Sequence, residues 1–595
     1  MANSPHEVIL GIGGYLGHDA NAALLVDGAL IAASQEERFT RRKHDGGFPQ
    51  RAIADCLAAA GLTPDDVTVC VFAEKPFQTT LFDQTGAPGN ILTRTLGRLM
   101  PERTAGLYTV PARALMPRAQ FRFAWHHLSH VAGAFHTSPF SRAAFLCVDG
   151  KGEDYSASAG VIDDGEIKLL FEQPYENGLG LLYTLVTHHL GFASFGSEYK
   201  VMGLAPYGRP VLVEALRRLC HTDDRGGLRL REPVKFTHAV MTAAIPLVTA
   251  ATGVPARTGR DPLTSAHIDL AASLQKLFEE EVLNMARFVR AETGEPNLIF
   301  CGGCAQNCVA AGRLRSAAIF DALFNSPVGG DMGSGLGAAL LQARTAQPTR
   351  PLSIASRGFY LGSEPGPAPA AAAPWRVPFA GPLHDHVAAQ IAQGLTVGWV
   401  RGRMELGARS LGARSILADP RAPGMQSRLN LAVKFRESFR PFAPAILAED
   451  VGDWFDSSAE SHYMNYTANL LPTRRAPVPA TFAGLREQLD FPRSEIQSVI
   501  HVDFSARLQT VHPGVHPDFH RLILAFKRLT GVPILINTSF NVSGQPIVRT
   551  AAEAWNCFLN TDLDLLVLND ELYRNPNQRT REEKLAWLAQ FAKSA

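Results

Sequence analysis

At 595 residues, the chain is too long for a single hydrophobic core, so two or more domains are expected. Hydrophobic residues make up 46% of it and charged residues 19%, which are the proportions of an ordinary globular protein. The net charge of +1 argues against a large nucleic-acid surface or an anionic-membrane anchor, and no apolar run reaches the ~18 residues of a membrane span.

The N-terminus starts with a strand-like run rather than a signal peptide. Residues 8–12 lead at once into glycines and a His-Asp pair, without the basic-then-apolar layout of a secretory leader. The eight cysteines show no paired spacing, which predicts reduced thiols. A cytoplasmic, multidomain enzyme is therefore expected.

Two similar α/β halves follow one another in the first part of the chain. Each half is predicted to contain a strand and a hairpin: residues 8–12, 22–26 and 29–33 in the first, and residues 143–148, 157–162 and 166–171 in the second. Asp27-Gly28 and Asp163-Asp164-Gly165 are the hairpin turns. A helix is predicted over residues 48–60. This duplication is typical of the actin-like ATPase fold.

The later part of the chain predicts a second α/β domain. A helix over about 269–291 and a strand over 297–301 complete the first domain, and a Pro- and Ala-rich run at 365–374 predicts a surface loop or linker. Strands at 396–400 and 532–536, with helices between them, belong to the second domain. The predicted boundaries are 1–345 for the first domain, 346–385 for the connecting segment and 386–595 for the second domain.

The run from Trp125 to His130 carries the strongest chemical pattern in the chain. On a helix, His126 and His130 are one turn apart and point the same way, so both imidazoles can reach one metal ion. Asp149 ends the apolar run 143–148, where open α/β sheets place catalytic groups. Two histidines and a carboxylate suit Fe(II), Mn(II) or Zn(II). The alternative is three histidines on a solvated helix face.

Glycine clusters in the first domain favour nucleotide binding, because glycine lets the backbone approach a phosphate and a helix N-terminus favours negative charge. The candidate residues are Gly150, Lys151, Gly302, Gly303, Asn307 and Gly330. Asp331 supplies a second carboxylate for the metal set. Cys301, Cys304 and Cys308 are interpreted as small packing residues at a strand-to-helix turn, since no second thiol pair lies nearby.

The second domain combines basic side chains with hydroxyls and amides. The candidate substrate residues are Arg409, Arg414, Ser415, Lys434, Arg436, Arg440, Arg507, Asn537 and Ser539. Guanidinium groups and a lysine bind phosphate oxygens. These basic residues alternate with Phe, Pro, Gly and Ser rather than with Glu and Lys, which favours a cleft for an anionic small molecule over a solvated basic surface.

Together these motifs resemble the nodulation-protein-U and cephamycin O-carbamoyltransferase family, in family order from residue 9 to about 548. The matching stretches are Gly17-His18-Asp19-Ala20, the histidine run, residues 149–153 and 198–205, the glycine clusters with Asn307 and Asp331, residues 404–420, and residues 537–541. The resemblance implies a TsaD-like domain of actin-like ATPase fold, followed by a YrdC-like α/β domain.

In that family, the YrdC-like domain forms carbamoyl-adenylate from carbamoyl phosphate and ATP, and the TsaD-like domain transfers the carbamoyl group to a hydroxyl of a small molecule, as in antibiotic or toxin biosynthesis. The resemblance implies that His126, His130, Asp149 and Asp331 bind Fe(II), with Zn or Mn as alternatives. It implies His18 as the base, with Lys43 in the same site. It assigns carbamoyl phosphate to Lys434, Arg440, Arg507, Asn537 and Ser539. A homodimer is common among relatives.

Two other functions compete with this interpretation. A tRNA threonylcarbamoyl-type modification enzyme uses the same two domain types, but the near-neutral charge disfavours it. A small-molecule kinase of the actin-like fold would have no use for the metal-binding histidines or the arginine-rich second domain. No residue pattern identifies the acceptor.

Overall fold

The computed structural model describes residues 6–75, 101–175, 178–192, 196–231, 238–259, 261–348, 352, 358–457, 459–479, 482 and 484–594. The chain divides into two compact units. Unit 1 comprises residues 1–40 and 44–355, and unit 2 comprises residues 41–43 and 356–595. Of the predicted linker, residues 349–351 and 353–357 lie outside the described part.

The first sheet of unit 1 has five strands in the order β3-β2-β1-β4-β5. They are β1 (Val8–Gly13), β2 (Asn21–Val26), β3 (Ala29–Gln35), β4 (Val69–Phe72) and β5 (Gln120–Phe123). The three N-terminal strands are antiparallel neighbours, whereas β4 and β5 run parallel to β1. The helices of this half are α1 (Glu37–Thr40), α2 (Gln50–Ala59), α3 (Pro101–Leu115) and α4 (His126–His136).

The second sheet repeats this topology in the order β8-β7-β6-β11-β12. Its strands are β6 (Arg142–Gly152), β7 (Tyr155–Asp163), β8 (Glu166–Pro174), β11 (Asn297–Cys301) and β12 (Ala322–Asn325). Strands β6, β7 and β8 are again antiparallel neighbours, and β11 and β12 run parallel to β6. The predicted duplication is therefore present in the structure.

The remaining elements of unit 1 lie between or after the strands of this second half. They are α5 (Leu179–His189), α6 (Glu198–Leu204), α7 (Val213–Arg217), β9 (Cys220–Thr222), β10 (Leu228–Leu230), α8 (His238–Thr252), α9 (Ser265–Thr293), α10 (Cys308–Ser316) and α11 (Ser334–Ala346). Strands β9 and β10 form a separate antiparallel pair. The predicted helix over 269–291 is part of α9, and the predicted strand over 297–301 matches β11.

Helices α4 and α11 each pack on the sheet of the half to which they do not belong in the chain. Helix α4 follows the first sheet in the chain, but its Val131 and Phe135 are buried with Phe145 of the second sheet. Helix α11 ends the second half and packs on β1 and β2 of the first. The two helices contact one another at Gly133 and Gly337. This contact joins the halves into one unit.

Unit 2 is built on one mixed sheet of eight strands in the order β16-β17-β15-β18-β14-β13-β19-β20. They are β13 (Val397–Val400), β14 (Arg414–Ala418), β15 (Ala443–Leu447), β16 (Tyr466–Asn469), β17 (Ser505–Val511), β18 (Ile534–Ser539), β19 (Leu565–Leu568) and β20 (Glu571–Arg574). The helices are α12 (Leu383–Ala392), α13 (Met425–Arg428), α14 (Leu485–Asp490), α15 (Pro517–Thr530), α16 (Ala551–Leu559) and α17 (Arg581–Leu588). The overall class is mixed α/β, as predicted.

Three residues from early in the chain complete unit 2. The two Nη atoms of Arg41 donate to the main-chain oxygens of Ile547 and Pro546, each at 2.7 Å. Arg41 also pairs with Glu553 at 3.3 Å. The sequence patterns placed Arg41 within the first domain, because a run of only three residues carries no domain signal of its own.

Most of the Pro- and Ala-rich segment 365–374 is exposed, as expected of a surface loop or linker, but part of it is ordered as a helical turn. Residues Ala370–Trp375 form a short 3₁₀ helix, and Ala372 is fully buried in the core of unit 2. All eight cysteines are free thiols, as predicted. Among the described residues, no helix combines the length and apolar character needed to cross a membrane.

Substituting Gly337 with alanine tests the contact between α4 and α11. The new Cβ would lie 1.7 Å from the main-chain oxygen of Ser129, so the helices must separate, and we expect a loss of about 1–3 kcal/mol or more in the free energy of unfolding. Chemical denaturation measures this. Gly106→Ala in α3 is the control: its Cβ meets no atom within 4 Å, and it should stabilise by about 0.5–1 kcal/mol. Equal stability of the two variants would contradict the packing argument.

Candidate functional site

Helix α4 presents two histidines to the same point, as their spacing predicts. The rings of His126 and His130 are buried and lie edge to face with centroids 4.4 Å apart. Their Nε2 atoms are 2.9 Å apart. Two imidazole nitrogens at this distance either form a hydrogen bond with each other or bind the same cation. The histidines are therefore not on a solvated helix face.

Asp149 lies in an irregularity of the β6–β7 hairpin, just beyond the last residue that pairs with β11. The strand continues to Gly152 rather than ending at Asp149, and its pairing with β7 shifts after Val148. The Asp149 Oδ1 atom accepts hydrogen bonds from the N–H groups of Gly150 (2.7 Å) and Gly303 (3.1 Å). These bonds turn Oδ2 towards the histidines, 3.3 Å from His126 Nε2 and 3.1 Å from His130 Nε2.

Asp331 completes the group from the loop before α11. Its Oδ1 atom lies 3.2 Å from His126 Nε2 and 3.3 Å from His130 Nε2. This oxygen is buried and has no hydrogen-bond partner in the described part of the chain. We call His126, His130, Asp149 and Asp331 the four-donor cluster, because one ligand atom from each lies within 4.8 Å of the others.

The four-donor cluster has the chemistry of a transition-metal site. Two ligand atoms at about 2.1 Å from one metal ion are about 3.0 Å apart at a right angle and about 3.4 Å apart at a tetrahedral angle. The nitrogen–nitrogen and nitrogen–oxygen distances given above, 2.9–3.3 Å, are close to these values. Two imidazoles and two carboxylates suit Fe(II), Mn(II) or Zn(II).

Opposite charges dominate the electrostatics of the cluster. Burial alone would lower the pKa of its histidines, but the attraction of the carboxylates is stronger than this effect. The pKa of His126 therefore lies well above its usual range, and that of His130 rises to about 9. Burial would raise the pKa of Asp149 and Asp331, but the neighbouring histidines hold both below their usual range. A divalent cation would replace the imidazole protons, since metal ligands bind in their deprotonated form.

His18 is adjacent to the cluster. Its Nε2 atom lies 3.1 Å from Asp331 Oδ2, and its Nδ1 atom lies 2.9 Å from Asp19 Oδ2. His44 Nδ1 lies 3.0 Å from the other Asp19 oxygen. Burial lowers the pKa of His18, but Asp331 and Asp19 outweigh it and raise the pKa to about 9. The charged imidazolium form of His18 is thus favoured by the two carboxylates that it contacts.

Sequence reasoning missed Asp19 and His44. Asp19 was visible only as the neighbour of His18, and His44 only as the residue after a basic run. Nothing in their spacing shows that Asp19 adopts a left-handed φ of 58° and bonds to both imidazoles.

Lys43 belongs to unit 2 rather than to unit 1 with His18. Within unit 2, burial lowers the pKa of Lys434, and the charges of Arg436, Arg440 and Lys43 lower it further. The pairing of Lys43 with His18 in one site stays a prediction.

Two of the predicted nucleotide residues have structural contacts. Asn307 caps α10, since its Oδ1 accepts from the N–H of Ala310 at 3.0 Å, and it exchanges hydrogen bonds with Gln275. It is therefore the N-cap residue, immediately before the helix. Gly302 donates its N–H to the oxygen of Gly329 at 2.8 Å. These contacts fix the loops around Asp149.

The other predicted nucleotide residues surround the cluster. Gly150 and Gly303 donate their N–H groups to Asp149, and Gly330 precedes Asp331. The Lys151 ammonium lies 5.2 Å from the centre of the Tyr175 ring. The nucleotide role of these residues stays a prediction.

In unit 2, a buried lysine donates to four oxygen atoms of two residues. Lys434 Nζ donates to the main-chain oxygens of Ser539 (2.7 Å) and Asn541 (2.9 Å) and to their side-chain oxygens at 3.2 and 2.6 Å. Burial is the main reason that its pKa lies well below the usual value. Asn541 was part of a recognised motif but was not predicted as a site residue.

Strands β14 and β18 bring further predicted residues together in unit 2. Ser415 lies opposite Ser539 in the sheet register, and its hydroxyl is 2.5 Å from that of Ser410. Asn537 donates to the main-chain oxygen of Ser410 at 3.2 Å. The side-chain oxygen of Asn537 is buried with no hydrogen-bond partner among the described residues. Hydroxyls, an amide and a lysine thus converge at one end of these strands.

The predicted arginines have different environments. Arg414 is fully buried and donates to five main-chain oxygens, those of Arg549, Arg401, Gly402, Ala413 and Ser363. These bonds connect the first residue of β14 to the segments that carry Ser363, Gly402 and Arg549. The substrate role of Arg414 stays a prediction. Arg436 bonds to Asn430 Oδ1 at 2.6 Å, and Arg440 lies 3.5 Å from Glu437. Arg507 is on β17, and Arg409 lies in the loop between β13 and β14.

Comparison with known proteins gives the family. The model for the carbamoyltransferase N-terminus matches residues 8–87 and 99–340, and the model for the carbamoyltransferase C-terminus matches residues 388–575. This chain belongs to the carbamoyltransferase family. It is a carbamoyltransferase enzyme, as the sequence motifs predicted.

Relatives of this carbamoyltransferase match it over most of its length. Protein sll1178 of Synechocystis is 39% identical over 98% of this chain and 99% of its own length. Nodulation protein NolNO of Sinorhizobium fredii is 35% identical over 96% of this chain and 81% of its own length. The 3'-hydroxymethylcephem-O-carbamoyltransferase of Amycolatopsis lactamdurans is 33% identical over 52% of this chain and 55% of its own length.

Removing one donor tests whether the cluster of this carbamoyltransferase binds metal. Losing a residue that only hydrogen-bonds to a metal ligand lowers metal affinity about 10–100-fold. Because His130→Ala removes a ligand itself, it should weaken Zn(II) or Co(II) binding by at least about 100-fold. Isothermal titration calorimetry measures this. His136→Ala, on the same helix but outside the cluster, is the control. Unchanged affinity in His130→Ala would exclude the cluster as the metal site.

Proposed function

We propose that this carbamoyltransferase forms carbamoyl-adenylate from carbamoyl phosphate and ATP in unit 2. In unit 1, we propose that it transfers the carbamoyl group to a hydroxyl of a small-molecule natural product. The main support is the convergence of Lys434 with Ser539 and Asn537 at the end of β18, where no carboxylate of the described residues bonds to the buried ammonium. Such a site favours a phosphate oxyanion.

The domain assignments belong to the same proposal. We assign unit 1 to the TsaD-like type of actin-like fold, which its duplicated strand topology supports. We assign unit 2 to the YrdC-like type, which the mixed sheet and the basic polar cluster support.

Adenylation makes the carbamoyl group a better electrophile. In unit 2, water would hydrolyse carbamoyl phosphate to carbamate and phosphate. A carbamate oxygen would then bond to the α-phosphorus of ATP and displace pyrophosphate. Lys434, Arg440 and Arg507 would neutralise phosphate charge, and the orphaned Asn537 oxygen would accept from the carbamoyl amide. Ser539 lies beside Lys434 and would bond to the same phosphate.

Transfer in unit 1 requires charge stabilisation and a base. A bound Fe(II), Mn(II) or Zn(II), held by the four-donor cluster, would supply Lewis-acid stabilisation of the departing AMP. The glycine turns around Asp149 would provide close backbone approach to the phosphate. His18 would take the acceptor proton at Nε2 once the charge on Asp331 is compensated, because a neutral imidazole titrates near working pH.

The names of the relatives support a hydroxyl acceptor. One relative is a 3'-hydroxymethylcephem-O-carbamoyltransferase, whose name specifies transfer to a hydroxyl oxygen. Others are nodulation proteins. We infer a hydroxyl-bearing natural product as the acceptor class.

Pyrophosphate release from ATP tests the adenylation step without an acceptor. Wild-type enzyme should release pyrophosphate only when carbamoyl phosphate is added. Arg507→Ala should raise the KM for carbamoyl phosphate about 10–100-fold, the value of one or two charge-assisted hydrogen bonds. His130→Ala should retain release, because it lies in unit 1. Pyrophosphate release that does not depend on carbamoyl phosphate would contradict the proposal.

The lowered pKa of Lys434 predicts a pH dependence. A bound phosphate favours the charged ammonium, so the pKa of Lys434 should be higher in the complex than in the free enzyme. At any pH between these two pKa values, binding therefore takes up a proton. Affinity for carbamoyl phosphate should therefore fall as pH rises through that window. Calorimetry in buffers of different ionisation enthalpy measures the proton uptake. Lys434→Arg, which stays charged, should lose the uptake, and its persistence would contradict the assignment.

A further inference from the structure

Glu153 lies four residues after Asp149, in the turn between β6 and β7. Its side chain is buried, and its backbone adopts a left-handed φ of 38°. One carboxylate oxygen accepts the N–H of His126 at 2.9 Å and the N–H of Lys75 at 3.1 Å. The other oxygen is 3.2 Å from the same His126 nitrogen. The carboxylate thus connects the end of β4, the start of α4 and the β6–β7 hairpin.

The bond to His126 replaces a cap that the helix lacks. Trp125 occupies the N-cap position of α4 and makes no side-chain capping bond. The first N–H groups of a helix need an acceptor, and a carboxylate there also interacts favourably with the helix dipole. Glu153 supplies this acceptor from a distant part of the sequence.

The hairpin therefore holds α4 at two points. Glu153 binds the main chain of His126, and Asp149 meets the Nε2 atoms of His126 and His130. The surfaces are in close contact: a Cβ on Gly152 would lie 2.6 Å from the rings of both His126 and His127. Little space remains for the helix to shift relative to Asp149.

We propose that Glu153 is a positioning residue for the four-donor cluster. By fixing the first residue of α4 against the hairpin, it sets the distance between the histidine nitrogens and Asp149 Oδ2. This inference rests on the proposed metal-binding role of the cluster. Glu153 itself would not touch the metal.

Cobalt titration of Glu153 variants tests the proposal. Glu153→Ala should weaken Co(II) binding about 10–100-fold and change the visible absorption of bound Co(II), the usual effect of losing a contact behind a metal ligand. Glu153→Gln keeps an acceptor oxygen and should restore part of the affinity. Glu166→Gln, in the exposed turn of the next hairpin, is the control and should bind as wild type does.

Amide hydrogen exchange provides a readout that does not require metal. The amide of His126 should exchange faster in Glu153→Ala than in wild type, while the circular dichroism spectrum confirms an intact fold. Wild-type Co(II) affinity and spectrum in Glu153→Ala would overturn this inference alone. Failure of wild-type protein to bind Co(II), or binding that survives His130→Ala, would overturn the metal assignment and this inference with it.

Discussion

The close contact between α4 and α11 is the constraint on which unit 1 depends. Helix α4 begins with His126, and α11 begins three residues after Asp331. Gly133 and Gly337 let these helices approach until a Cβ on Gly337 would overlap the main chain of α4. Because each helix packs on the sheet of the other half, the contact brings ligands from both halves to one point. Separating the helices would separate histidines from Asp331.

Unit 2 depends on a different constraint, the burial of an ammonium group that bonds to no carboxylate in the part of the chain that the structure describes. Removing an ammonium from water is costly unless other groups satisfy its N–H donors. Four oxygens of Ser539 and Asn541 do so for Lys434. They satisfy its hydrogen bonds but leave its charge uncompensated.

The sequence predicted the elements whose patterns are local. The spacing of His126 and His130, the Asp-Gly turns and the uniform apolar runs identify α4 and both hairpins, because each depends on neighbouring residues. The turns at Asp27-Gly28 and Asp164-Gly165 have positive φ at both positions, as their residue types require. The motif resemblance then identified all four donors and the enzyme class.

Contacts between distant segments could not be predicted in this way. The bonds from Asp19 to His44, from Asn541 to Lys434 and from Glu153 to His126 join residues that no periodicity connects. The five main-chain contacts of Arg414 were equally beyond reach of the sequence, since its motif indicated only substrate binding. Side-chain type alone does not show whether an arginine faces a cleft or a loop.

The position of Arg41 makes unit 2 discontinuous in the chain. Its guanidinium satisfies the main-chain oxygens of Pro546 and Ile547, shortly after the strand that carries Asn537 and Ser539. A fragment starting at residue 356 would leave both carbonyls without this donor. A cut at the boundary near residue 356 would therefore separate Arg41 from the unit whose carbonyl groups it binds.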